Sequence, residues 1–174
     1  RGSCGSACHL CPEPMHLTSL GARGLTPYDL IIVGSSFAAL PLADLLPRWP
    51  GAPGAVREWV TLFASPLIRN RATLGGNLAT ASPVGVGAPL LLALDASITL
   101  ESTAGGCRTL PLSEFFKGVR KTARDENELL TSVTFSNPDD DERAFYYKLG
   151  KRKADAISIV SLAMTVKLNG GLVE

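Results

Sequence analysis

The amino-acid sequence predicts an α+β fold. Short apolar runs rich in β-branched residues, which are typical of buried strands, are mixed with stretches of helical spacing, and the two do not alternate strictly. Such an order favours α+β over a doubly wound parallel sheet. The 174 residues, 45% of them apolar, suffice for one ordinary domain or two small ones.

Strands and hairpin turns follow from the apolar pattern. The run from Asp29 to Gly34 is apolar and β-branched, which predicts a buried strand. Residues 97–101 and 108–112 alternate apolar and polar residues around Ala104-Gly105-Gly106, which predicts a β-hairpin. Further strands are predicted at 129–135, 144–149 and 156–168, and Asn169-Gly170-Gly171 predicts another hairpin turn.

Three stretches predict helices. Residues 37–46 predict a helix that is interrupted near Pro41 and Pro47. Residues 53–64 begin with a proline, which suits a first helical turn, and their apolar side chains recur at spacings of four and three. The Leu-rich residues 89–96 predict a short buried helix.

Charge and composition exclude several classes of function. The formal net charge is +1, which provides no general electrostatic attraction to nucleic acid or to an anionic membrane. Both histidines, His9 and His16, lie in the first 26 residues, so the rest of the chain has none for acid–base catalysis or metal binding. The opening residues lack the apolar segment of a secretory signal, and we expect a cytoplasmic protein.

The first 26 residues are rich in Gly, Cys and Pro and predict an irregular lead-in. Within them Cys4, Cys8 and Cys11 form a C-x3-C-x2-C pattern, a spacing that can hold an iron–sulfur cluster. Three ligands are one fewer than a closed site needs, so incidental cysteines are the alternative, and we assign no metal site. Because the sequence starts at Arg1 without an initiator Met and stops just after the turn at 169–171, we expect truncation at both ends.

The most informative segment surrounds paired glycines at positions 75 and 76. Adjacent glycines let the backbone approach a ligand and permit positive φ, and successive N–H groups in such a turn form a nest for an anion such as pyrophosphate. Thr73 and Asn77 add hydrogen-bonding side chains at either side. A purely structural turn is the alternative for a bare L-G-G-N.

Several motifs occur in the order of a known family. Ile68-Arg69-Asn70, Thr73-Leu74-Gly75-Gly76-Asn77 and Ala81-Ser82-Pro83 are followed by segments at 108–116, 119–122, 128–130, 145–148 and 151–157. Together they resemble the FAD-binding subunit or domain of molybdenum hydroxylases, a family that includes xanthine dehydrogenase and the medium subunit of carbon monoxide dehydrogenase. The resemblance implies the second half of a PCMH-type FAD-binding domain at 27–138, and the beginning of a small C-terminal α+β domain at 139–174.

The resemblance also implies FAD as the cofactor and a set of contact residues. The leading contacts are those of the T-L-G-G-N segment, and single positions elsewhere match a family aromatic, an apolar position and a lysine near the flavin. Core packing of Phe63 and Leu130, and a solvated surface position for Lys148, are the alternatives for those three residues. The implied set is Phe63, Thr73, Leu74, Gly75, Gly76, Asn77, Leu130 and Lys148.

The activity implied by the resemblance is electron transfer by an oxidoreductase component that is inactive alone. Its partners are the molybdopterin subunit and the 2Fe-2S subunit of the same complex, and NAD or another electron acceptor receives the electrons. Two departures affect this expectation. Many relatives carry an acidic residue about where Val86 stands, and residues 1–29 do not resemble the family's upstream glycine-rich subdomain. The chain is therefore expected to hold only part of the cofactor site, and a non-catalytic docking remnant is the alternative.

Overall fold

The computed structural model describes residues 41–102, 104–152 and 155–173, together with the backbone of residues 30–33. The predicted lead-in at 1–26, with its three cysteines, lies outside the described residues. The described part mixes short helices with antiparallel strands, and the predicted α+β class is confirmed. None of its helices is long and apolar enough to cross a membrane.

A four-stranded antiparallel sheet forms one side of the molecule. Its strands are β1 (Leu30–Val33), β2 (Ser97–Ser102), β3 (Cys107–Pro111) and β6 (Glu128–Phe135), in the order β1-β6-β2-β3. The predicted hairpin at Ala104-Gly105-Gly106 is confirmed. The turn requires its glycines, because Gly105 and Gly106 have φ values of 94° and 102°.

In the part of the chain that the structure describes, six short α-helices lie between and beside the strands. A 3₁₀ turn at Leu42–Asp44 leads into α1 (Leu45–Arg48), so the predicted helix at 37–46 is found only in its second half within the described residues. The predicted helices at 53–64 and 89–96 are confirmed as α2 and α5 with shifted ends. The remaining bounds are α2 (Gly54–Leu62), α3 (Pro66–Arg69), α4 (Leu74–Ala79), α5 (Gly87–Ala93) and α6 (Leu112–Phe115).

Two further sheets complete the described fold. A two-stranded hairpin joins β4 (Phe116–Gly118) to β5 (Lys121–Thr122), which the sequence pattern did not predict. A second antiparallel sheet contains β7 (Glu142–Gly150), β8 (Ser158–Asn169) and β9 (Leu172–Val173). The Asn169-Gly170-Gly171 turn between β8 and β9 is confirmed.

The hydrophobic core lies between the two larger sheets. Helix α2 packs against β7, α5 packs against β8, and α4 packs against β6. The fully buried side chains include Leu100, Leu130 and Val133 from the first sheet and Leu74, Leu78 and Leu90 from the helices. Tyr146 of β7 belongs to the same buried cluster, so the helices are covered on both sides.

A buried carboxylate fastens one end of the four-stranded sheet. Arg108 of β3 binds Glu128 of β6 with two hydrogen bonds of 2.7 Å, and the Asp125 N–H donates to the same carboxylate at 2.8 Å. The hydrogen bond from Arg108, followed by the one from Asp125, lowers the pKa of Glu128 to about 2. Because β2 lies between β3 and β6, this contact ties both neighbours of the central strand together.

Candidate functional site

The T-L-G-G-N segment forms the start of helix α4. Thr73 is its N-cap residue, with extended backbone and a side-chain oxygen that accepts the Gly76 N–H at 3.0 Å. Leu74 and Leu78 stand one helical turn apart, and each is 1% exposed in the core. The cap and the buried pair together hold a helix that two glycines would otherwise disfavour.

The glycine pair therefore differs from the expected irregular turn. Gly75 and Gly76 lie inside α4, and neither is among the described glycines with positive φ. A nest built on left-handed backbone is the wrong geometry for this segment, because Thr73 caps a regular helix that begins at Leu74, one residue before the pair. The free N–H groups of a helix start take its place.

Two of these N–H groups have no acceptor among the described residues. The Gly76 N–H is bonded to the Thr73 hydroxyl, and the Asn77 N–H to the Thr73 carbonyl at 3.1 Å. Within the described residues, no hydrogen bond is made by the N–H of Leu74 or of Gly75. Gly75 is a buried residue whose N–H finds no acceptor in the described part of the chain, and it stands at the start of a helix, where negative charge is favoured.

Asn77 connects α4 to the start of α5. Its side-chain oxygen accepts the Gly87 N–H at 3.1 Å, which satisfies one of the free donors at the beginning of α5. A Cβ atom on Gly87 would lie 2.5 Å from that oxygen, so glycine is required for the close approach. Gly87 is not among the site residues predicted from the sequence.

Val86, the position without the family's carboxylate, is the N-cap residue of α5. Its side chain makes no cap hydrogen bond and is 7% exposed within the core. The apolar side chain is thus packed inward, and a side chain from another helix, Asn77, accepts the first N–H of α5.

A second group of predicted residues lies at the C-terminal end of α2. Phe63 is 6% exposed, and its ring meets Trp59 edge-on with centroids 5.8 Å apart, so it packs in the core. The Lys148 ammonium donates to the Leu62 carbonyl at 2.9 Å, and burial lowers the pKa of this lysine. Lys148 is therefore not a solvated surface side chain.

Arg69, which sequence reasoning did not single out as a contact, closes the same helix end. Its guanidinium donates to the carbonyl oxygens of Phe63 at 2.6 Å and of Thr61 and Ala64 at 3.3 Å. Together with Lys148 it places two cations on four consecutive carbonyls at the negative end of the α2 dipole. The Lys148 contact joins α2 to β7, and the Arg69 contacts join the end of α2 to α3.

Leu130 and Tyr146 are buried in the two sheets that enclose the helices. Leu130 lies opposite Leu100 on β2 and is 1% exposed, on the strand that α4 packs against. Tyr146 is 3% exposed, and its hydroxyl has no hydrogen-bond partner in the described part of the chain. Burial, followed by the charge of Glu58, raises the pKa of Tyr146 to about 12.

The structure thus divides the predicted residues into two groups. Thr73, Leu74, Gly75, Gly76 and Asn77 lie together on α4, beside the strand that carries Leu130. Phe63 and Lys148 lie together at the end of α2. Within the described residues the Leu74 and Gly75 amides at the start of α4 have no acceptor, and donors of this kind can bind an anionic ligand.

Comparison with known proteins identifies the class of ligand. Residues 29–138 match the family model described as the FAD binding domain in molybdopterin dehydrogenase. The nicotinate dehydrogenase FAD-subunit of Eubacterium barkeri is 42% identical over 118 residues, which are 66% of this chain and 40% of that protein. The xanthine dehydrogenase/oxidase of Gallus gallus is 38% identical over 117 residues, which are 67% of this chain and 9% of that protein.

Solved structures agree with the sequence comparison. Carbon monoxide dehydrogenase from Hydrogenophaga pseudoflava is similar with a TM-score of 0.75 and 27% identity, over 87% of this chain and 51% of that chain. Quinoline 2-oxidoreductase from Pseudomonas putida 86 is similar with a TM-score of 0.62 and 28% identity, over 68% of this chain and 40% of that chain.

The chain belongs to the family of the FAD binding domain in molybdopterin dehydrogenase, and the cofactor of this domain is FAD. It spans less than half the length of the two curated relatives described above. The described residues fit the diphosphate of such a cofactor, because the Leu74 and Gly75 amides have no acceptor among them and Gly75 carries no side chain.

Proposed function

We propose that the chain is the FAD-binding part of an oxidoreductase component that passes electrons from iron–sulfur clusters through FAD to an acceptor such as NAD. FAD, once bound, would supply the electron-carrying chemistry. The observation that carries the proposal is the Gly75 N–H at the start of α4, which has no acceptor among the residues that the structure describes, in a chain of this family.

The chain's own residues would bind and orient the cofactor. Thr73 fixes the direction of the first turn of α4, so that the Leu74 and Gly75 amides point along the helix axis toward the diphosphate. Asn77 holds α5 against α4 and keeps the approach to that turn rigid. In the proposal Leu130 and Phe63 supply apolar contacts, and Lys148 supplies a positive charge from the end of α2.

The lysine has a specific electrostatic role in this proposal. Its ammonium is half-buried and donates to the Leu62 carbonyl, and this burial lowers the pKa of Lys148. A poorly solvated cation acts more strongly on a nearby anion than a hydrated one, because the intervening dielectric is lower. Lys148 would therefore favour negative charge on the bound cofactor.

The proposal includes partners and a location. The molybdopterin subunit and the 2Fe-2S subunit of the same complex would assemble with this chain in the cytoplasm. Residues 27–138 would form part of the FAD-binding domain, and residues 139–174 the beginning of the C-terminal domain. The substrate chemistry of the complex would lie on another polypeptide or domain.

A second candidate function is a docking remnant that does not retain flavin. Val86 favours it, because a buried apolar side chain stands where many relatives offer a carboxylate. A remnant would associate with the partner subunits and lack bound FAD. A pull-down against both subunits, with flavin content assayed in parallel, separates this candidate from the first.

The test of the first candidate is flavin binding by the purified full chain. Quenching of FAD fluorescence gives the dissociation constant, and bound flavin shows shifted absorbance bands. We expect Thr73→Ala to weaken binding about fivefold through the loss of a cap that contributes about 1 kcal/mol, and Thr73→Ser to retain it. Gly54→Ala, at an open position of α2, is the matched control. Absence of flavin binding by the wild-type chain would refute the proposal.

A further inference from the structure

Strands β7 and β8 have one face toward the core and one face away from it. On the inner face Tyr146 is buried, Lys148 donates to α2, and Thr165 donates to α5. Because side chains alternate between the two faces of a strand, the residues next to these in sequence lie on the outer face. The register places them opposite one another in three cross-strand pairs, which are Phe145 with Met164, Tyr147 with Leu162, and Leu149 with Val160.

The outer face is apolar and exposed. Each of the six paired side chains is between 41% and 57% exposed. The apolar surface continues to β9, because Val173 is paired with Leu168 of β8 and is 68% exposed. We call the six paired side chains together with Val173 the outer patch. On β7 and β8, both described throughout, the charged residue of this face is Arg143, whose guanidinium donates to the carbonyls of Asp140 and Glu142 beside the patch.

The area of the outer patch is that of a protein interface. A large apolar side chain presents on the order of 150–200 Å², so seven that are about half exposed present roughly 600 Å². The largest apolar patch on a typical monomer covers about 300–600 Å², so the outer patch lies at the upper limit for a surface that stays exposed. Each partner in a stable complex buries about 800 Å² including a polar rim, which this patch and its surroundings can provide.

The apolar character of the outer patch favours a second copy of the same chain as its occupant. A partner of opposite charge has no charged group of the patch to recognise, and a net charge of +1 gives no attraction to an anionic membrane. Interfaces between identical chains are the more apolar ones, and a two-fold axis brings the same surface of both copies together. An apolar sheet face is complementary to itself in this way, because two sheets pack about 10 Å apart with interdigitated side chains.

We propose that two copies of this chain associate through the outer patch, with their β7–β8 sheets packed face to face about a two-fold axis. Tyr147 and Leu162, the middle pair of the three, would lie at the centre of the contact. Helix α4 packs against β6 of the other large sheet, so the contact would leave the proposed cofactor site uncovered. The inference goes beyond the proposed function and does not depend on it.

The test is the mass of the purified full chain in solution. Sedimentation equilibrium between ~1 and ~100 μM, a range that detects micromolar affinities, distinguishes the 18.3 kDa monomer from a species of twice that mass. Leu162→Lys and Tyr147→Lys each place a charge in the outer patch, and Leu162→Met preserves its apolar surface. Leu129→Lys is the matched control, because Leu129 of β6 is 51% exposed and Leu162 of β8 is 49% exposed.

We expect wild type, Leu129→Lys and Leu162→Met to form dimers with similar dissociation constants. Leu162→Lys and Tyr147→Lys should each raise the dissociation constant about hundredfold, because the two-fold axis places the charge in the contact twice. An increase in salt from ~0.1 to ~1 M should leave the wild-type dimer intact, since salt weakens contacts between charges and not apolar ones. Thermal unfolding of each variant establishes that it is folded.

A monomeric wild type would overturn the proposal, and the fluorescence of ANS would then identify the alternative. A monomer that binds no ANS has the patch covered by another segment of the same chain, and a monomer that binds ANS exposes it to a different partner. A dimer that dissociates in salt, or that Leu129→Lys weakens as strongly as Leu162→Lys, would also overturn the proposal, because its contact would lie elsewhere.

Flavin binding, measured on the same samples, is a separate outcome. A dimer that depends on the outer patch and binds no FAD would sustain this inference and refute the proposed function. A monomer that binds FAD would do the reverse.

Discussion

Replacing Gly87 by alanine tests the contact between α4 and α5. The added Cβ would lie 2.5 Å from the Asn77 side-chain oxygen and 3.5 Å from its amide carbon, so Asn77 has to move. Its hydrogen bond to the residue 87 N–H is then lost, and an unsatisfied buried N–H costs about 1–3 kcal/mol. Alanine recovers up to about 1 kcal/mol of helix propensity, which leaves a net destabilisation of about 1–2 kcal/mol.

Thermal and urea unfolding measure this loss. For a chain of this size we expect a fall in Tm of about 2–8 °C. Gly54→Ala is the matched control, because no atom lies within 4 Å of the Cβ it would add, and we expect it to be neutral or slightly stabilising. Wild-type stability of Gly87→Ala would refute the reasoning.

A double-mutant cycle isolates the contact itself. Asn77→Ala removes the atom that the new Cβ would strike, so Gly87→Ala should cost less in that background than in wild type. We expect a coupling energy of about 1 kcal/mol. Additive effects of the two substitutions would show that the destabilisation arises elsewhere.

Three further predictions concern other contacts. Glu128→Gln should cost about 2 kcal/mol at pH 7. The folded-state pKa of Glu128 is about 2, so its contribution to stability is present above about pH 4.5 and is lost as the pH falls toward 2. The urea midpoint of the variant, measured across that range, should therefore change less with pH than that of the wild type. Ala64→Gly should stabilise the chain by about 0.5–1 kcal/mol, because Ala64 has a φ of 44°, which favours glycine. Ala55→Gly, within helix α2, should destabilise the chain instead, and similar shifts in the calorimetric Tm for the two variants would contradict this reasoning. Thr73→Ala should lower stability by about 1 kcal/mol in the same assay and Thr73→Ser should not, and equal losses would argue against the cap.

The predictable part of the fold is the part encoded locally. The strands at 29–34 and 129–135, the hairpin at 104–106 and the helix from Pro53 are visible in sequence because apolar period and turn residues specify them. The pairing of β6 between β1 and β2 joins segments about 100 and 30 residues apart, and no local pattern carries that information.

The candidate site likewise has a part that the sequence predicts and a part that depends on tertiary structure. The sequence directs attention to residues 73–77, but the glycines favour a loop, and the helix forms because Thr73 caps it and Leu74 and Leu78 are buried. The bond between Asn77 and Gly87 depends on how two helices meet, so it could not be predicted from either segment. The family resemblance is confirmed, whereas contact of the eight named residues with FAD and the division at 138/139 stay predictions.

The Lys148–Leu62 hydrogen bond joins two parts of the chain that the family model separates. Residue 148 lies ten positions beyond the matched segment, yet its ammonium donates to the Leu62 carbonyl of α2. Tyr146, on the same strand, is buried in the core, and the hydroxyl of the half-buried Thr165 on β8 donates to the Ala93 carbonyl of α5 at 2.8 Å. Removing everything after Pro138 would expose the outer faces of α2 and α5 to water. The segment that folds cooperatively should therefore extend beyond residues 29–138, the segment that the family model matches. Proteolytic cleavage in the acidic loop at 139–141 should destabilise the remaining N-terminal fragment.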